Sequence, residues 1–277
     1  MKKIKRKTKY IFTSVDYDTF ELRWLAEVCL RLFGESRLAE AFQKGLDPHT
    51  DVAAQILGMS YEEAIAGLKS EDVDLKKRVK NARDCAKVAN FGLPGGLGID
   101  SLITFARKSY KVILTRDAAV RLKEDWLRAL PEMRKYFAWK SQQIGLGDAQ
   151  IEAVISGMKR GGVGYCDGCN YDFQNPAAWT AKKALFDVAY ECYVDKGTAL
   201  YGTRPVAFIH DEIIAEVPEK TAHEASHRLA EVMCAAAQPH APTIPITASP
   251  ALMRRWYKGA EAVYEEGRLV PWQPKTP

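Results

Sequence analysis

The segment AFIHDEIIAEV, residues 207–217, sets His210, Asp211 and Glu212 between two apolar half-strands. Adjacent carboxylates at a strand end have two readings. One is a polar hairpin tip, because Asp favours turns. The other is part of a divalent-metal site, because Mg²⁺ takes hard oxygen ligands and usually one or two carboxylates plus substrate phosphates. A metal site needs a second carboxylate from elsewhere in the fold, and Asp16 offers one. YIFTSVDYD (10–18) repeats the pattern of PVAFIHDE (205–212), an apolar strand running into Asp. As neighbours in one sheet, Asp16 and Asp211 would sit side by side and share two cations. Two metals roughly 3.5–4 Å apart clamp the attacking and leaving oxygens of an in-line phosphoryl displacement. Phosphoryl or nucleotidyl transfer is the leading chemistry.

A third group lies on the basic segment LKKRVKNARDCAK, residues 75–87. Arg83, Lys87 and Phe91 recur every four residues and so share one helix face, with Asn90 beside them. Two cations and an aromatic there would hold a triphosphate and stack on a base or sugar. Taken alone, the same spacing describes a core Phe flanked by solvated cations. The net charge of +5 is modest, but its concentration in this segment favours a polyanionic partner.

The elements that must position these residues follow from periodicity. YIFTSV (10–15) reads as a strand feeding a helix through Asp16. Several helices follow over 36–92, broken at 45–48, at Gly58 and around Gly67, the last running from an acidic first turn to about Phe91. Further helices are predicted over 115–127, 131–143, 177–194 and 220–237. Gly-rich hairpin-like sequence follows Gly145, the hairpin RPVAFI/IIAEV carries HDE at its tip, and IPITAS (244–249) is a short strand. The fold class is therefore α+β: a lobe with a small antiparallel sheet plus helices, interrupted by a mostly helical lobe.

At 277 residues with 47% hydrophobic and 27% charged content, two lobes of a globular protein are expected. No apolar run nears the roughly 18 residues of a membrane span, and MKKIKRKTKY lacks the apolar core and cleavage site of a signal peptide, so a cytoplasmic location is expected. Cys166 and Cys169 form a lone C-x-x-C without the second pair a zinc site needs, which favours thiols in a Gly-containing turn over a metal or redox role.

Together these stretches resemble the three catalytic motifs of family A DNA polymerases. DYDTFELR (16–23) is similar to motif A, RDCAKVANFG (83–92) to motif B and HDE (210–212) to motif C. AFQKGLDPHTDVAAQILG (41–58) and NYDFQ (170–174) match further elements in the same order. The resemblance implies that Asp16 and Asp211 hold two Mg²⁺ ions, that Arg83 and Lys87 bind the incoming triphosphate with help from His49, and that Lys87 also protonates the departing pyrophosphate. It places Phe91 and Tyr17 with the nucleotide, Glu21 where a ribose 2′-hydroxyl would otherwise fit, and His210 and Glu212 beside the primer terminus. Asn170 and Gln174 would contact the DNA. On this pattern residues 1–28 and 141–277 form the palm and 29–140 the fingers.

Three departures from the family pattern stand out. Gly95 replaces a Tyr four residues after the motif B Phe, and Cys166 stands where many members have an Arg. Asn-Pro-Ala-Ala-Trp-Thr follows Gln174, which sets Pro176 in the first turn of a helix and Trp179 in place of an acid. Motif A begins at residue 16, so the expected module lacks the thumb and proofreading exonuclease, and a second polypeptide would supply them. The function expected is template-directed addition of deoxynucleotides to a primer 3′-hydroxyl. Its rivals are a two-metal nuclease, which needs neither Arg83, Lys87, Phe91 nor Glu21, and a catalytically silent or partner-dependent DNA-binding half of a split polymerase.

Overall fold

The computed structural model describes residues 9–146 and 148–274, so the basic opening of the chain, up to residue 8, lies outside the described residues. In chain order it begins with strand β1 (Tyr10–Tyr17) and helices α1 (Phe20–Phe33), α2 (Arg37–Gln43), α3 (Pro48–Leu57), α4 (Tyr61–Lys69) and α5 (Val73–Gly92). Helices α6 (Ile99–Phe105), α7 (Arg116–Ala129) and α8 (Glu132–Ile144) follow. Strands β2 (Ala149–Glu152) and β3 (Lys159–Val163) then lead into α9 (Tyr165–Tyr193), β4 (Arg204–Ile209) and β5 (Glu212–Pro218). The chain ends with α10 (Ala222–Ala237), β6 (Ala248–Met253), β7 (Val263–Glu265) and β8 (Arg268–Trp272). Among the described residues no helix is long and apolar enough to cross a membrane.

The chain forms two compact units. One holds residues up to Phe20 with Ala177–Pro242 and Ile246–Pro277, the other Glu21–Pro176 with Thr243–Pro245. The main divisions fall after Phe20 and Pro176, whereas the palm and fingers were expected to divide at residues 28 and 140.

The first unit is built on a six-stranded sheet of order β4-β5-β1-β6-β8-β7, antiparallel except between β6 and β8. Strand alternation sorts β1 into two faces. Ile11, Val15 and Tyr17 are buried and, with Ile213, Ala215 and Val217 across the pair, form the face that packs on α10. Ser14 and Asp16 point to the other face, opposite Ile214 and Glu212. Predicted strand IPITAS is displaced: β6 starts at Ala248 and contains Pro250. That proline is tolerated because β8 pairs only with Leu252 and Met253, so Pro250 has no partner there that needs its missing N–H.

In the second unit, helix starts are chemically marked. Ser36, Asp47, Ser60, Asp72 and Thr115 each accept a hydrogen bond from a first-turn N–H, and Ser60 with Glu63 forms a reciprocal capping box. Each such cap is worth about 1 kcal/mol. Gly67, expected to break a helix, lies inside α4 instead. A Cβ there would come within 2.8 Å of Val79 Cγ2, so the glycine permits close packing of α4 on α5. The helix predicted from Ala177 begins at Tyr165, which places Pro176 in the interior of α9 rather than in its first turn, at the loss of one backbone hydrogen bond. Cys166 and Cys169 accordingly lie in the first two turns of a helix and not in a loop, both as free thiols.

Candidate active site

The hairpin β4-β5 turns through two residues, His210 and Asp211, and His210 adopts φ +58°. A positive φ at the first position of a two-residue loop matches the mirror-image turns that follow sheet twist. Glu212 is therefore the first residue of β5 and not part of the tip. Because β5 pairs with β1, Glu212 stands directly opposite Asp16, and Asp211 precedes it in the turn. Ser249 of β6 flanks Asp16 on the other side. The expected adjacency of the two strand ends is present in the sheet, with Glu212 as the cross-strand partner.

The carboxylates differ in setting. Glu212 has a side chain only 4% exposed; it receives a hydrogen bond from Ser14 Oγ and one of 2.8 Å from Lys258 Nζ. Burial pushes its carboxyl upward, but the hydrogen bonds from Lys258 and Ser14 outweigh that and hold it below the ordinary range. Asp16, 46% exposed, lies 3.4 Å from the same ammonium. Burial raises its pKa, Lys258 opposes the shift, and Glu212 adds to it. Tyr17 is buried on the opposite face: its ring stacks on Phe20 at 3.8 Å and its hydroxyl donates to Met233 O at 2.5 Å. Its side chain is thus a core group.

Among the described residues no three ligands converge as a ready cage. The donor set nevertheless suits Mg²⁺, which binds through one or two carboxylates and completes its shell with water and substrate phosphates. The ammonium shared by Asp16 and Glu212 shows that these oxygens already accommodate a cation.

The second unit holds the basic face. Asp47 caps α3 and also accepts from Arg83 Nε at 3.0 Å, while Thr50 Oγ1 accepts from the same Nε at 3.0 Å. His49 is buried, 5.2 Å from the Phe91 ring, and burial followed by the nearby cations lowers its pKa to about 4 against the pull of Asp47. Phe91 is itself part-exposed and stacks with Tyr110 at 6.3 Å; Lys87 Nζ lies 5.8 Å from the same ring. Arg83, Lys87, Phe91 and His49 are thus brought together by packing of α5 on α3. Tyr110 is a member of this group that sequence reading missed, because it comes from a π turn with no motif around it. Burial and then the Glu21 carboxylate raise its pKa, which puts Glu21 within electrostatic reach.

Asn170 and Gln174 lie one turn apart on α9; Gln174 is exposed and Asn170 donates to Cys166 O at 2.9 Å. A Cβ on Gly95 would sit 2.6 Å from Asn170 Nδ2. The glycine at this position therefore leaves room for Asn170.

A family profile described as DNA polymerase family A matches residues 3–145. The chain belongs to DNA polymerase family A. DNA polymerase I of Aquifex aeolicus is 24% identical over 261 residues, covering 92% of this chain and 42% of that protein. DNA polymerase I of Chloroflexus aurantiacus is 27% identical over 233 residues, 80% of this chain and 22% of that protein. Among solved structures, the POL domain of Pol1 from M. smegmatis, in complex with DNA primer-template and dNTP, superposes with a TM-score of 0.66 at 22% identity, over 90% of this chain and 40% of that one. The family A fold is thus shared, and the chain spans less than half the length of each of these proteins.

Proposed function

We propose that this chain is the palm and fingers portion of a template-directed DNA polymerase, adding deoxynucleotides to a primer 3′-hydroxyl by two-metal nucleotidyl transfer. The observation that carries the reading is the β1-β5 register, which sets Asp16 opposite Glu212 with Asp211 one residue away, at the strand ends where family A motifs A and C meet. Asp16 and Asp211 would hold the two Mg²⁺ ions, and Glu212 and His210 would border the primer terminus. Bound there, the cations supply a lowered pKa for the attacking hydroxyl and charge neutralisation on the phosphates.

The chain's own groups do the rest. Arg83 binds triphosphate oxygens, held in orientation by Asp47 and Thr50. Lys87 adds a point charge and the proton that leaves with pyrophosphate. His49, kept neutral, donates a hydrogen bond. Phe91 packs on the nucleotide's sugar, and Glu21 crowds and leaves unpaired a ribose 2′-hydroxyl, giving preference for deoxynucleotides. Asn170 and Gln174 contact DNA by shape rather than sequence. A cytoplasmic location fits these substrates. A second polypeptide carrying a thumb would add phosphate contacts and so strengthen the grip on duplex DNA.

The test is primer extension on a labelled primer-template with four dNTPs, by the purified chain alone and supplemented with a thumb-bearing polypeptide. Extension in either mixture supports the reading, and Asp211→Asn should reduce it by more than about 100-fold, beyond what loss of a supporting group costs. No extension in both mixtures, at high protein and low salt, sinks it.

A further inference from the structure

We infer that Lys258 is a built-in counter-ion: it holds a cation's place at the Asp16 carboxylate and must leave that carboxylate before a divalent metal binds there. The inference rests on the metal reading above. Asp16 and Glu212 face one another across β1 and β5, and like charges directly opposed on a sheet repel. One ammonium answers both. Lys258, in the segment that follows β6, places Nζ 2.8 Å from Glu212 Oε2 and 3.4 Å from Asp16 Oδ2.

The two contacts are unequal in a way that gives them different roles. Glu212 is buried and tied by Ser14 and by Trp256 as well as by the lysine, so it is the more firmly held partner and acts as the anchor. Asp16 is nearly half exposed and makes the longer contact, so it is the partner that can be exchanged. The lysine is equally able to yield. Its side chain is 64% exposed, it precedes Gly259, and a compact ammonium on a four-carbon stem can swing to solvent or settle wholly on Glu212. The other nearby charges are already committed: Arg254 pairs with Glu219 at 2.7 Å, and Asp18 accepts from Ser249 Oγ at 2.8 Å. Among the described residues, the ammonium that a metal ion approaching Asp16 would have to displace is that of Lys258, held by an exposed contact weak enough to break. Between metal-bound states the lysine would keep the two carboxylates from separating.

The experiment uses Mn²⁺ as the probe. Free Mn²⁺ is followed by electron paramagnetic resonance during titration of the parent and of Lys258→Met at low ionic strength, with Asp16→Asn to identify the site. Removing the competitor should tighten Mn²⁺ binding about two- to fivefold, the range set by part-exposed ion pairs, and the gain should shrink as salt rises. Equal or weaker binding by Lys258→Met overturns the counter-ion role while leaving the metal reading intact. Absence of Asp16-dependent binding in both proteins overturns the metal reading and this inference with it. A second measurement needs no variant. The amine of Lys258 in the parent is labelled with an N-hydroxysuccinimide ester and quantified by peptide mass spectrometry. Saturating Mn²⁺ should speed labelling at Lys258, and an unchanged rate overturns the inference.

Discussion

The Asn90 amide nitrogen stands 3.0 Å from His49 Nδ1 and thereby fixes the tautomer of that imidazole. The Trp126 indole can only donate, so its 2.8 Å contact is to Asn90 Oδ1, and the amide NH₂ is left for Pro48 O at 3.2 Å and for His49. His49 Nδ1 must accept, its proton sits on Nε2, and burial keeps the ring neutral at pH 7. Any part His49 takes in phosphate binding is then as a hydrogen-bond donor and not as a cation.

This makes stability depend on pH in a defined window. The folded pKa of about 4 lies below the ordinary value of 6.5, so between these values the unfolded chain binds a proton that the folded one does not. The stabilisation is fully present above pH 6.5 and is lost as pH falls toward 4, with an upper limit of about 3 kcal/mol. Urea unfolding of the parent and of His49→Gln at pH 7 and pH 4.5 isolates this contribution, since other groups cancel in the difference. The variant should lose about 1–3 kcal/mol less than the parent on acidification; parallel losses would assign the acid sensitivity elsewhere.

Lys140 and Asp172 form a fully buried ion pair at 2.6 Å in the second unit. Asp172 also accepts from Tyr136 Oη at 3.2 Å and from Val154 N at 3.3 Å. Burial raises the Asp172 pKa, while the lysine beside it opposes the shift. Asp172→Asn would strand a buried ammonium and should cost about 3–5 kcal/mol in denaturant unfolding, whereas the double variant Lys140→Met/Asp172→Leu should recover most of that loss. A single variant within about 1 kcal/mol of the parent would refute the pair's structural role.

Gly95 and Asn170 are predicted to be coupled. Gly95→Ala forces its new Cβ against the end of the Asn170 side chain, which must swing away and give up its hydrogen bond to Cys166 O, at an expected cost of about 0.5–1.5 kcal/mol. Shortening the obstacle with Asn170→Ala should remove much of this penalty, so the two substitutions should be clearly non-additive in a thermodynamic cycle. Additive losses would mean that Asn170 does not hold the space beside Gly95.

What could be read from the sequence was what repeats or is punctuated. Strand β1, the hairpin β4-β5 and helices α5 and α7 announce themselves through apolar spacing, capping residues and flanking turns. The pairing of β1 with β5 was legible because two strands end in the same way. The exact partner was not, since a one-residue shift at the hairpin decides whether Asp211 or Glu212 faces Asp16. Strand β6 was displaced because Pro250 argues against a strand unless the pairing on each side is known. The start of α9 was hidden by glycines that pack closely, such as Gly168 against Ile144. Lys258 and the Lys140–Asp172 pair carry no local pattern, because their partners are distant in the chain.

Arg83 carries the last prediction. It hydrogen-bonds through Nε to Asp47 and Thr50, and Thr50 Oγ1 in turn donates to Asp47 Oδ2 at 2.6 Å. That anchor orients the guanidinium and leaves its two terminal nitrogens to grip an anion in fork geometry. Arg83→Ala removes charge-assisted hydrogen bonds worth about 1.5–3 kcal/mol, so affinity for a non-hydrolysable deoxynucleoside triphosphate should fall about 10- to 150-fold. Arg83→Lys should recover only part of it, because an ammonium lacks the fork. Asp47→Ala leaves the charge in place and loosens only its aim, so binding should weaken several-fold, alongside a loss of about 1 kcal/mol in stability from the α3 cap. Titration calorimetry with the three variants separates these roles: equal losses for Arg83→Ala and Asp47→Ala would show that the cap and not the guanidinium organises the site.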